Sequence, residues 1–193
     1  MASPDLSASS LAAPDWDALP RPADIGLPAR LTGRRLPDVT LDGTGGAVAL
    51  GALDGLSVIY VYPMTGRPGV PLPDGWDAIP GARGCTPQSC AFRDHAGDLA
   101  ALGVRHLFGL SSQGVGALAE AKARLHLPFD LLSDARLAFA RALDLPTFEA
   151  GGATRIERVT LIARDGRIEH AVHPVFPPDR NAAEVIGWLE ERR

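Results

Sequence analysis

The sequence predicts an α/β domain with a mixed central sheet and helices on both faces. Three observations carry this expectation. The run Leu56-Ser-Val-Ile-Tyr-Val-Tyr62 is too uniformly apolar for an edge and reads as a buried central strand. Strand-like and helix-like stretches then alternate to about Leu143, the order that gives parallel strands joined by helices. Near the C-terminus, Asp165-Gly166 sits between two strand-like runs, the signature of an antiparallel hairpin.

Residues 1–30 read as an N-terminal arm, rich in Ala, Pro, Ser and Asp and without a sustained period of 2 or 3.6. We expect it to be partly ordered at best, either a tail or a segment that packs Trp16 onto the body or a partner subunit. The main domain is expected over 31–193. Leu36–Leu41 and Ala47–Leu50 flank a Gly-rich turn and read as a strand pair. Pro63 stops the central strand that follows.

Residues 66–84 form a Pro/Gly loop, long for a strand-to-helix connection, with Trp76 and Ile79 as anchors. Thr86 to Leu102 predicts a helix, Thr86 as its N-cap, Pro87 as its first residue and Gly103 closing it. Strands are expected at His106–Leu110 and Phe129–Leu132. Each precedes a helix, one capped by Ser112 and running through Leu125, one capped by Ser133 and running to about Leu143. Pro146–Thr154 reads as a loop. The hairpin Arg158–Ala163 and Arg167–Val172 follows. A final helix starts at Asn181, with Glu184 at capping-box spacing. This order describes a thioredoxin-like sandwich.

Composition narrows the function. A net charge of −4 does not suggest a nucleic-acid partner. No segment approaches the roughly 20 apolar residues that span a bilayer, and no secretory signal is evident. A cytoplasmic location is expected. The chain has 2 cysteines, Cys85 and Cys90. With His95 they do not complete a four-ligand zinc site, so neither a metal nor another cofactor is expected.

Both cysteines lie in Gly84-Cys-Thr-Pro-Gln-Ser-Cys-Ala-Phe-Arg-Asp94, after a strand and a loop, at an expected helix start. Backbone N–H groups and the positive end of a helix favour thiolate over thiol, and thiolate is the nucleophile. On the residues alone, Cys85 is a reactive thiol or an inert loop thiol. Cys90 is a second reacting thiol or a small core residue. Arg158 is a charge at a strand end.

This stretch resembles the active-site segment of peroxiredoxins, closest to the peroxiredoxin Q (bacterioferritin-comigratory) type. Colinear blocks extend the resemblance over most of the chain. They are Val-Ile-Tyr-Val-Tyr-Pro63, Phe129-Asp-Leu-Leu-Ser-Asp134 and Arg158-Val-Thr-Leu-Ile-Ala-Arg-Asp-Gly-Arg-Ile-Glu-His170. The resemblance implies a thiol-dependent peroxidase. Cys85 then matches the peroxidatic cysteine and Cys90 the resolving cysteine, closing an intramolecular disulfide. Arg158 matches the arginine that orients thiolate and peroxide. Pro63 matches the proline of the family's Pro-x-x-x-Thr/Ser-x-x-Cys motif. The implied partners are a peroxide and a thioredoxin-like reductant, in a monomer or homodimer.

The chain departs from that motif. Ala82 stands where the family has Thr or Ser, and roughly fifteen residues are inserted between Pro63 and Cys85. Thr65 and Thr86 are the candidate replacements for the missing hydroxyl. Two other readings follow from the departure. One is a thioredoxin-fold redox sensor or partner-binding protein using the inserted loop. The other is a thiol–disulfide oxidoreductase, weakened by C-x4-C in place of C-x-x-C.

Overall fold

The computed structural model describes residues 14–193; the expected tip of the arm lies outside that range. The chain enters through a 3-10 turn at Trp16–Ala18 and helix α1, Leu27–Leu31. The predicted strand pair is β1, Thr40–Gly43, and β2, Gly46–Ala49. The apolar run forms β3, Leu56–Val61, every residue of which is buried. Then come α2 (Cys85–Asp94), α3 (Ala96–Ala101), β4 (Val104–Ser111), α4 (Val115–Leu125), β5 (Asp130–Ser133) and α5 (Ala138–Ala142). A hairpin of β6 (Thr147–Ala150) and β7 (Ala153–Ile156) precedes β8 (Val159–Arg164), β9 (Arg167–Val172) and α6 (Asn181–Glu190).

Seven strands form one sheet in the order β2-β1-β5-β4-β3-β8-β9. The β5-β4-β3 centre is parallel, and β1, β2, β8 and β9 extend it antiparallel. The mixed sheet expected from the alternating pattern is therefore present. Period-2 alternation splits β3 between two cores. Ile59 and Val61 join Leu27, Leu31, Phe139 and Ala140 on one face. Val58 and Tyr60 join Phe92, Leu99, Leu118, Val185 and Leu189 from α2, α3, α4 and α6 on the other.

Residues 66–84 share a small core with β6. Trp76 is buried in a 3-10 turn at Trp76–Ala78 and packs with Ala82, Ala150, Leu72, Ile79 and Phe148. The indole and the Phe148 ring lie 5.9 Å apart. Phe148 and Ala150 belong to β6, so Pro146–Thr154 is a hairpin rather than the expected loop. The turn at Gly151-Gly152, with φ of 60° and 70°, closes it.

Helix ends differ from the expectations in instructive ways. The helix expected from Thr86 to Leu102 breaks at His95 into α2 and α3. Asp94, His95 and Gly97 are weak helix formers clustered at that point. It begins at Cys85, with Gly84 as N-cap at φ 101° and no side-chain cap, so Thr86 lies inside the first turn. Ser112 and Ser133 do not cap. Ser112 Oγ donates to the Thr154 carbonyl at 2.9 Å, and Ser133 Oγ to the Gln113 carbonyl at 2.7 Å. The Asp134 carboxylate instead accepts from the N–H groups of Phe139 and Ala140. Asn181 begins α6 but is turned into the core, so it does not act as the cap of a capping box.

Candidate active site

Cys85 is the first residue of α2 and is 4% exposed. Two glycines with positive φ, Gly81 at 74° and Gly84 at 101°, fold the preceding segment so that its carbonyls turn inward. Arg158, just before β8, reaches them from below. Its Nη2 donates to the carbonyls of Gly81 (3.2 Å) and Arg83 (3.0 Å) and lies 3.3 Å from Cys85 Sγ. The Cys85 thiol contacts the Ala82 carbonyl at 3.6 Å. Arg158 is 4% exposed, so its charge is screened little by water. A guanidinium at hydrogen-bond distance can hold negative charge that develops beside the sulfur.

Residues that the sequence did not assign to the site complete its surroundings. Gln88, one turn after Cys85, accepts from Arg158 Nη1 through Oε1. Its Nε2 donates to Asn181 Oδ1 at 2.9 Å, and Thr160 Oγ1 donates to that same oxygen at 2.6 Å. Arg155, on β7, is close enough to feel Cys85. Burial lowers its pKa, with Cys85 and Glu149 acting in the opposite direction. The spacing of Gln88 from Cys85 puts it on the same helix face, so it was legible in principle. Asn181 carried no local signal of this role.

Cys90 is half-buried on the same helix and packs against the core formed by α2, α3, α4 and α6. Burial pushes its thiol above the ordinary value, partly offset by Arg93. Ser89, beside it, receives the Tyr60 hydroxyl at 3.1 Å. Tyr60 stacks on Phe92 with ring centroids 4.4 Å apart. The structure thus brings Cys85 and Arg158 together and puts Cys90 five residues along the helix.

The other expected site residues are placed differently. The Pro63 carbonyl accepts from Ser111 Oγ at 3.1 Å. Thr65 is buried, and its hydroxyl donates to Gln113 Oε1 at 3.2 Å rather than toward Cys85. Thr86 is half-buried in the first turn of α2. Ala82 is fully buried against Trp76 and offers only its backbone to the sulfur.

The arm also reaches this site. Trp16 Nε1 donates to Asp179 Oδ2 at 3.0 Å, and its ring meets Phe176 edge-on at 6.0 Å. A Cβ at Gly84 would lie 2.7 Å from both Trp16 and Pro178, so a close approach requires glycine there.

The model of the Redoxin family matches residues 31–186. A Coxiella burnetii protein carrying the name peroxiredoxin bcp is 31% identical over 162 residues, covering 81% of this chain and 97% of its own. The chloroplastic peroxiredoxin Q of Oryza sativa subsp. japonica is 26% identical over 184 residues, covering 89% and 77%. Among solved structures, peroxidoxin BcpB from Mycobacterium tuberculosis superposes with a TM-score of 0.67 at 24% identity, over 84% of this chain and 97% of that one.

Proposed function

The chain belongs to the redoxin family, among its peroxiredoxins of the Q/bcp type, and from that premise we propose a peroxidase cycle run by Cys85, Cys90 and Arg158. The observation that carries the proposal is Arg158 Nη2 at 3.3 Å from Cys85 Sγ. The protein is a thiol-dependent peroxidase. In the proposed cycle the Cys85 thiolate attacks one peroxide oxygen. The O–O bond breaks, Cys85 becomes sulfenic acid, and the departing oxygen takes a proton as water or alcohol. Arg158 stabilises the thiolate before attack and the developing negative charge during it. The Cys90 thiol then attacks the sulfenic sulfur, forming the disulfide and releasing water. A thioredoxin-like dithiol returns two electrons by exchange.

Pro63, Thr65 and Thr86 are proposed to border the peroxide. Thr65 holds its stretch of backbone through Gln113, and Thr86 places a hydroxyl on the residue next to Cys85 in the first turn of α2. The carbonyls and Arg158 do the remaining polar work in the absence of a hydroxyl at Ala82. Residues 31–193 form the catalytic domain in this reading, with 66–84 as cover over the site. No helix among the described residues is long and apolar enough to cross a membrane. A cytoplasmic monomer or homodimer, reset by the cell's dithiol pool, fits the reading.

The test is intact-mass analysis of reduced protein after one equivalent of peroxide. The wild type should lose two hydrogens rapidly, and Cys90→Ser should yield a trappable sulfenic acid. Arg158→Leu should slow the first step by about 10²–10³-fold. Reaction no faster than that of a free thiol would overturn the proposal and favour the redox-sensor reading.

A further inference from the structure

A line of buried amides runs from the C-terminal helix to the reactive sulfur, and its direction is chemically fixed. Arg158 carries donors only, so the atom of Gln88 that meets it must be Oε1. That turns Gln88 Nε2 away, toward α6. Asn181 must then present an oxygen, and Oδ1 accepts there from Gln88 and from Thr160. Gln88, Asn181 and Thr160 are each 1% exposed or less, so water does not substitute for any of these partners. Asn181 Nδ2, in consequence, is turned away from Gln88 and toward the Glu184 carboxylate, whose pKa burial raises and the Asn181 amide lowers. Turning the Asn181 amide over would set NH2 against NH2 at Gln88 and an oxygen against that carboxylate.

We infer that Asn181 is a positioning residue for the peroxidase reaction. It acts through Gln88 to keep an acceptor facing Arg158, and so keeps the guanidinium on Cys85. The inference rests on the roles proposed above for Cys85 and Arg158. Without the Asn181 acceptor, Gln88 Nε2 is left buried with no partner, and the side chain is no longer held in line with Arg158. The guanidinium then loses a buried partner and its fixed place beside the sulfur. Helix α6 is in this way part of the site although none of its residues touches the sulfur.

The experiment uses the full chain carrying Cys90→Ser, so that Cys85 is the only thiol. Two readouts are taken: the second-order rate with hydrogen peroxide, and the pH profile of Cys85 alkylation. Asn181→Leu removes the acceptor at similar volume, and both rates at neutral pH should fall roughly tenfold, with the alkylation profile moving to higher pH. Asn181→Asp keeps the acceptor oxygen and should retain most of both rates.

The decisive variant is Gln88→Glu, whose two oxygens offer Arg158 an acceptor whichever way the group turns. In that background Asn181→Leu should change the alkylation profile by less than about twofold. Equal losses with and without Gln88→Glu, or an Asn181→Asp loss as large as that of Asn181→Leu, would reduce Asn181 to a packing residue and overturn the inference. If Asn181→Leu fails to fold, the comparison of Asn181→Asp with the parent decides alone: retained rates support the relay and lost rates refute it. Slow peroxide chemistry in the parent would instead sink the peroxidase reading, while the alkylation profiles would still report on the relay.

Discussion

Closing a Cys85–Cys90 disulfide requires α2 to open, and the cost can be worked out from its contacts. The two cysteines are the first and sixth residues of one helix. Five residues along an ideal helix separate Cα atoms by roughly 8–9 Å, whereas a disulfide needs about 4.4–6.8 Å. Opening the first turns breaks the hydrogen bonds Gln88 N to Gly84 O, Gln88 to Asn181, Arg158 to Gln88 and Tyr60 to Ser89. At about 1 kcal/mol net for each bond, the reduced helix is favoured by roughly 4 kcal/mol. For a two-electron couple that is about 85 mV, and it makes the disulfide more oxidising than an unstrained one. Tyr60→Phe removes one of the four bonds at nearly unchanged volume and leaves Ser89 free to bond its own helix backbone. The reduced form then loses about 1 kcal/mol, and the disulfide becomes harder to reduce by about 20 mV. Equilibration against dithiothreitol buffers, with thiols counted by alkylation and mass, measures the shift. A potential that is unchanged or moves upward would refute the reasoning. So would amide exchange over residues 85–90 that is no faster in the oxidised protein than in the reduced one.

Three further outcomes follow from the same contacts. In Cys85→Ser, Cys90 should alkylate with its half-maximum above the ordinary thiol value of 9.0, because burial favours the neutral thiol. The stability this contributes is present below that value and lost as pH rises through the raised one, and a half-maximum at or below 9.0 would contradict it. His170 stacks on Trp188 at 4.9 Å, and burial, then Arg192, holds its pKa below 6.5. Stability tied to neutral His170 is therefore present above 6.5 and lost as pH falls through the lowered value. His170→Phe should keep the stack and flatten the fall in urea midpoint on acidification; an equally steep fall would assign it to other groups. Phe92→Ala removes a fully buried ring stacked on Tyr60 and should cost about 3–5 kcal/mol by urea unfolding.

The sequence made the sheet legible because β3, β8 and β9 signal themselves locally, by an apolar run and an Asp-Gly turn. Cys85 was legible for the same reason, as a cysteine after a strand and a glycine at a helix start. What escaped was set at long range. Ser112 and Ser133 are sound caps by residue type, but the chain offers their hydroxyls the carbonyls of Thr154 and Gln113, while Thr86 loses the cap position because the helix starts one residue before it. Asn181 has the residue type of a surface cap and is instead a buried acceptor, since only the fold brings Gln88 and Thr160 to it. The β6–β7 hairpin was hidden because its apolar face is completed by Trp76 and Leu72 from the inserted segment.

The seat of Trp16 on Gly84 has a consequence for anyone who shortens this protein. The family match starts at residue 31, and that is the natural place to cut. A chain cut there would lose the indole that bonds Asp179, Arg21 over the Phe176 ring and Pro22 beside Gly81. The turn that feeds Cys85 into its helix would lie open to water on that side. The packing around the turn that carries the sulfur therefore reaches back from the 31–193 domain to Trp16. A trimmed domain could keep every family residue and still be a different enzyme.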